Sequence, residues 1–255
     1  MHAMEAMGDR QPMKLAMWWR LSLMGLIATA TQLLAPLEQF APEIPWMLIR
    51  LLSLVQPAIL VLAFTALGIW AAAKVGLDAP VVRAWAEGRP MLAELRPQVA
   101  PAIAVGLAVG AVLVLFWITV RTLPVANPLL TFQMPLATKL LYGGIVEELL
   151  LRWGIMSLFV WVAWRLAGRG APVPAWCYWM GMTASALLFA AGHLPLLYFL
   201  LPDPPAALVA MVLVGNALPG LLFGWLFWRR GLEAAMLAHA FAHLFGAAAL
   251  AAVAP

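Results

Sequence analysis

Six residues stand out by type and place. Glu147, Glu148 and Arg152 lie in one apolar stretch, His193 ends the apolar part of another, and His239 and His243 lie in a third. The only other histidine is His2, near the N-terminus. An ionisable side chain at the centre of a membrane span costs about 2.5–3.5 kcal/mol on insertion scales, so such residues face a protein interior or a watery cavity. Glu148 and Arg152 are four apart and share a helix face, where they can pair. Glu147 lies about 100° around the helix from Glu148 and stays available. His239 and His243 also share a face. A carboxylate beside an imidazole can activate water, and two further imidazoles can steady a developing oxyanion. That describes hydrolysis of an amide by a directly activated water. The same groups could bind zinc, or relay protons or carry an ion across the membrane. The purely structural alternatives are a buried Glu148–Arg152 ion pair and histidines that hydrogen-bond between helices. A free Glu147 together with three histidines favours a functional site.

The elements that must position these groups are membrane helices. The chain has 255 residues, 65% of them hydrophobic and 10% charged, with a mean hydropathy of +0.95. A soluble domain is about 45–50% apolar and about 25% charged. Such a chain cannot hide its apolar surface in a water-soluble globule. A disordered chain, a disulfide scaffold and an ordinary cytosolic enzyme are excluded. A spanning helix needs about 20 apolar residues. Stretches of that kind cover 16–36, 48–73, 98–120, 138–164, 175–200, 206–228 and 232–253. No strand alternation competes with them. The expected fold is an all-α polytopic bundle of about seven spans, with the chemical residues on the fourth, fifth and seventh. Proline clusters, among them Pro97 with Pro101, are read as the breaks. Residues 1–137 would supply N-terminal membrane helices with an interfacial loop at 74–97. Residues 138–255 would form a catalytic helical core within the same membrane domain.

Charge sets the expected orientation. With the N-terminus inside, eleven basic residues (Arg10, Lys14, Arg20, Lys74, Arg83, Arg89, Arg96, Arg165, Arg169, Arg229 and Arg230) fall on the inner side. Only Arg50, Arg121 and Lys139 fall outside, which obeys the positive-inside rule. The basic residues flank apolar runs and do not gather on one element, so nucleic acid is not an expected partner. The N-terminal apolar run reads as an uncleaved first helix, not a signal peptide. Cys177 is the single cysteine, which leaves no intramolecular disulfide and reads as a packing residue. Gly106 with Gly110 and Gly220 with Gly224 read as helix-packing positions.

At this point the pattern resembles a known family. Glu147-Glu148-Leu-Leu-Leu-Arg152 resembles the EExxxR motif of the CPBP intramembrane proteases, the CAAX-protease and bacteriocin-processing (Abi) family. Phe189-Ala-Ala-Gly-His193 resembles FxxxH, and His239-Ala-Phe-Ala-His243 resembles HxxxN with histidine in the last place. Asn216 to Gly224 and Arg230-Gly231-Leu232-Glu233 resemble the glycine-rich stretch before the last motif. The match covers about residues 138–246 in the family's order and spacing. The resemblance implies a glutamate-dependent intramembrane endopeptidase; the expected location is a bacterial inner membrane, with the N-terminus cytoplasmic by the charge count above. Its substrate would be a membrane-associated protein or peptide. By this resemblance Glu147 and His193 activate water, His239 and His243 stabilise the oxyanion, and Glu148 and Arg152 support them. Histidine at 243 departs from the family's asparagine. A histidine also donates, but its proton varies with pH and it binds metal. The family needs no metal. Zinc, held by Glu147, His193, His239 and His243, is the alternative cofactor. A non-catalytic immunity or scaffold protein and an ion or proton transporter are the competing functions; the absence of paired internal repeats argues against the transporter.

Overall fold

A computed structural model describes residues 10–37, 43–123 and 134–252; His2 lies outside them. Helices form all the regular structure among the described residues. They are α1 (Arg10–Ala30), α2 (Trp46–Ala71), α3 (Pro80–Ala86), α4 (Met91–Arg121), α5 (136–166), α6 (Ala175–Ala191), α7 (Leu194–Leu200), α8 (Ala206–Arg230) and α9 (Leu232–Ala252). Among the described residues, five segments are long and apolar enough to cross a membrane: Trp46–Lys74, Met91–Arg121, Ala175–Leu200, Ala206–Arg230 and Leu232–Ala252. The chain is an all-α integral membrane bundle. Large apolar side chains such as Leu15, Ile27, Leu51, Ile59 and Leu115 point outward, as a lipid-facing surface requires.

In lipid, apolar helices gain little by hiding from water, so small residues and close packing hold them together. The paired glycines do this. A Cβ on Gly106 would lie 2.6 Å from Phe241 Cβ, and one on Gly110 would lie 2.5 Å from Phe245 Cδ1, so α4 and α9 pack nearly backbone to backbone. Gly220 and Gly224 of α8 rest in the same way on Ala186 and Met182 of α6. The expected packing role of both pairs holds. Between α2 and α5 the fit is reciprocal. The Trp153 ring occupies the space that Gly68 leaves open, and Phe64 packs onto Gly154. The Trp153 indole N–H also donates to the Thr65 carbonyl at 3.2 Å.

The end of α9 is tied down separately. The Leu232 N–H donates to the Asp78 carbonyl at 3.0 Å. Glu233 Oε1 accepts the Val82 N–H at 2.9 Å. Gly231, at φ 114°, makes the turn from α8 into α9, in a region that favours a residue without Cβ. Asp78 pairs with Arg83 at 2.8 Å. Burial pushes the Asp78 carboxyl up from its usual range, and Arg83 pulls it back in part.

The fifth stretch, 175–200, is long and apolar enough to cross a membrane, as expected, but is built of two helices that break at Gly192–His193, because Pro195 in the first turn of α7 lacks an N–H and would clash within a continuous helix. One expectation needs correction. Pro97 and Pro101 do not break the chain but lie inside α4. Their missing donors are tolerated in a membrane bundle, where neighbours and local adjustment compensate. As a result only part of the 74–97 segment connects spans. Gly88 turns the chain at φ 70° and α4 already begins at Met91. The 31 residues of α4 reach about 46 Å at 1.5 Å per residue, against a hydrocarbon core of about 30 Å. Its charged first turns therefore stand outside the core.

Candidate active site

Glu147, Glu148 and Arg152 hang on the least regular of the described helices. From Lys139 to Glu147 and from Leu149 to Met156, α5 winds as a π-helix, a rare form that is frequent at functional sites. The wider turn still sends the adjacent glutamates to different sides. The Glu148 side chain is fully buried, and that of Glu147 is 27% exposed. Glu147 faces a cavity of about 500 Å³, which His193, His239 and His243 also line. Three helical segments far apart in sequence therefore bring the carboxylate and the imidazoles to one space.

Glu148 is the hub of the buried side. Its Oε1 lies 3.2 Å from Arg152 Nη1, with both side chains out of solvent. The same oxygen lies 2.8 Å from His239 Nδ1. Arg152 also donates from Nη2 to the Gly220 carbonyl at 3.2 Å. A buried ion pair is costly unless further hydrogen bonds satisfy it; these contacts do so in part, and Glu148 Oε2 and Arg152 Nη1 are left without a hydrogen-bond partner. The Arg152 guanidinium lies 4.8 Å from the Phe189 ring and 5.5 Å from the Phe223 ring. Phe223 in turn stacks on His239, with centroids 4.7 Å apart and an interplanar angle of 19°.

Held by Glu148 at one nitrogen, His239 turns the other toward Glu147, with Nε2 3.8 Å from Glu147 Oε2. The His243 ring lies alongside, 5.1 Å away. A Cβ on Gly143 would lie 3.3 Å from His239 Nε2 and 3.2 Å from His243 Nε2. Both nitrogens thus converge on the space that Gly143 leaves open, one helical turn from Glu147. His193 stands edge-on to Phe189, with centroids 4.8 Å apart. Its Nδ1 lies 2.8 Å from the Phe189 carbonyl. A carbonyl only accepts, so Nδ1 carries the proton, and a neutral His193 presents Nε2 as an acceptor. Among the described residues, no group of three or more His, Cys, Asp or Glu is arranged to hold a metal ion.

The expected pairing of Glu148 with Arg152 and the freedom of Glu147 are both present. The tie between Glu148 and His239 was not foreseen, since no local spacing links positions 91 residues apart. Phe223 was missed for the same reason. Phe189 had a visible signal: it stands four residues before His193, on the same face.

Residues 128–245 match the profile of the type II CAAX prenyl endopeptidase Rce1-like family. No curated protein and no solved structure matches the chain. The matched segment contains the whole polar cluster, and the apolar helices around it supply the membrane setting. Over residues 128–245 this chain therefore carries an Rce1-like CAAX-protease domain, the domain of a membrane-embedded peptidase, set among helices long and apolar enough to cross a membrane.

Proposed function

We propose that Glu147 is the general base of a metal-free peptide hydrolysis within the membrane. Glu147 takes a proton from a water that also donates to His193 Nε2. The resulting hydroxide attacks the peptide carbonyl carbon. The oxygen becomes an oxyanion over Gly143, where His243 donates from Nε2 and His239, an imidazolium whose Nδ1–H is accepted by the Glu148 carboxylate, donates from its own Nε2. The C–N bond then breaks, the proton held by Glu147 passes to the leaving amine, and a carboxylate and an amine depart. Glu148 and Arg152 act at one remove, by holding the His239 ring. The observation that carries this reading is the 3.8 Å approach of His239 Nε2 to Glu147 Oε2 beside an open cavity. Carboxylate, imidazoles and room for a peptide then share one site.

In this reading α1 and α5 also cross the bilayer, which makes seven spans with the N-terminus cytoplasmic in a bacterial inner membrane. Residues 138–252 are the catalytic core, and α1 to α4 buttress it. The substrate is a membrane-associated peptide or protein, with prenylated CAAX sequences the first class to try. The direct test is cleavage of an S-farnesylated CAAX peptide by purified protein in detergent. Glu147→Gln should lower the rate by about a hundredfold or more, the usual worth of a positioned base. Equal rates for the variant and the parent would remove Glu147 from the mechanism.

A further inference from the structure

We propose that the chain carries a second binding site, a pocket for the phosphate of an anionic phospholipid, at the ends of α1 and α2 that the basic residues mark as inner. It does not depend on the peptidase reading, and none of its described lining residues lines the catalytic cavity. A cavity of about 510 Å³ opens there between the first turns of α1, the end of the Trp46–Lys74 span, the 76–78 connection and Arg83 of α3, with Trp153 of α5 among its walls. Its charged lining is Lys14, Asp78 and Arg83. Both Asp78 oxygens are engaged within the protein: Oδ1 accepts the Ala79 N–H at 2.8 Å, and Oδ2 pairs with Arg83 Nη2 at 2.8 Å. The two cations keep spare donors. Lys14 is exposed and pairs with no carboxylate among the described residues. Arg83 stays 42% exposed beside Asp78, and its Nε has no hydrogen-bond partner. Two positive groups against one engaged carboxylate call for an anion, and a guanidinium beside an ammonium suits the oxygens of a phosphate.

The remaining walls decide between a soluble phosphate and a lipid. Met13, Met17, Ile69 and Leu77 also line the cavity. A hydrophilic anion gains nothing from them, whereas the first carbons of an acyl chain do. The rings nearby mark the level of the headgroups. Arg20 lies 4.5 Å from the Trp19 ring and 5.0 Å from the Trp85 ring, and Lys74 lies 3.6 Å from that of Trp70. Tryptophan and basic residues gather at the membrane interface, and basic pockets between helices on the inner side bind anionic lipid headgroups. Occupancy would reach the catalytic helices through two bonds. The Asp78 carbonyl takes the Leu232 N–H, and the Val82 N–H, next to Arg83, goes to Glu233. A lipid that bridges Lys14 and Arg83 therefore fixes the segment that holds the start of α9. The competing account is a diffuse attraction of anionic lipid to the whole basic surface, with no pocket.

Native mass spectrometry and thermal melts of delipidated full-length protein in dodecyl maltoside separate the two accounts. The probes are dioleoyl phosphatidylglycerol, dioleoyl phosphatidylcholine, whose phosphate is balanced by its own choline, and soluble glycerol phosphate. Wild type should retain a single phosphatidylglycerol and bind it about tenfold more tightly than phosphatidylcholine, the worth of one charge-assisted hydrogen bond. It should also melt higher with that lipid bound, and glycerol phosphate at the same concentration should leave the melt unchanged. Lys14→Gln removes one of the two cations, and Ala73→Trp fills the mouth of the cavity from an exposed position. Both positions lie outside the core, so each variant should melt like wild type without lipid, and each should abolish the preference. Arg165→Gln, on the same side but outside the cavity, should keep it. Equal binding of the two lipids by wild type overturns the phosphate site. Stabilisation by glycerol phosphate equal to that by phosphatidylglycerol overturns the lipid as its ligand. A preference that survives in Lys14→Gln or Ala73→Trp, or that falls as far in Arg165→Gln, belongs to the surface at large and overturns the pocket.

Discussion

Gly143 matters through what it lacks. The two imidazole nitrogens that face it stand 3.2 and 3.3 Å from where a methyl group would begin. An alanine there would fill the space that the proposed mechanism assigns to the oxyanion. Gly143→Ala should therefore lower kcat by about ten- to a hundredfold, since a misplacement of about 1 Å can cost that much. Its melting temperature should change little. Alanine gains up to about 1 kcal/mol over glycine in a helix, against about 1–3 kcal/mol for overpacking a tight site. Peptide cleavage and a thermal melt on the same preparation check both parts. Undiminished cleavage would show that the space over Gly143 is not used. The neighbouring glutamates show how one residue type divides its work by environment. Glu147 keeps one face in the cavity, and Glu148 gives up solvent to hold Arg152 and His239.

At the scale of the element, the position of α9 along its axis decides where His239 and His243 arrive. That position is held at one end by Glu233, whose carboxylate takes the Val82 N–H, and by the Leu232 bond to Asp78. Helix packing alone permits sliding, and a directional bond at the helix start does not. Glu233→Ala leaves the Val82 N–H buried without its partner, at a cost of about 1–3 kcal/mol. It should lower thermal stability in detergent and reduce cleavage in parallel, whereas Glu233→Gln, which keeps an acceptor oxygen, should retain most of both. An alanine variant that melts like the parent would mean that the clamp is idle. On α5, the Trp153 indole seated on Gly68 performs the same service for the glutamates.

At the scale of the whole molecule, orientation follows from the basic residues. The α3–α4 turn at Gly88 should lie inside, and the connection at Asp203 outside. Single cysteines at these positions, in a Cys177→Ser background, should report this with a membrane-impermeant maleimide on intact cells. Label is expected at position 203 and not at 88, and the reverse would invert the topology. Much of this architecture was legible from composition and spacing. The cost of moving polar groups into hydrocarbon marks the apolar stretches. The same cost singles out Glu147, Glu148, Arg152 and the three histidines as residues that must have an interior to face. Helical period then separates Glu147 from the Glu148–Arg152 pair. These are local properties, set by transfer cost and by 3.6 residues per turn. Tertiary structure alone decided the rest: that His239 is shared between the two glutamates, that Phe223 lies against it, that Glu233 reaches Val82, and that Pro97 and Pro101 stay within a helix while His193 falls at a break. Those outcomes depend on which surfaces of distant helices can approach closely in lipid, and no window of neighbouring residues contains that information.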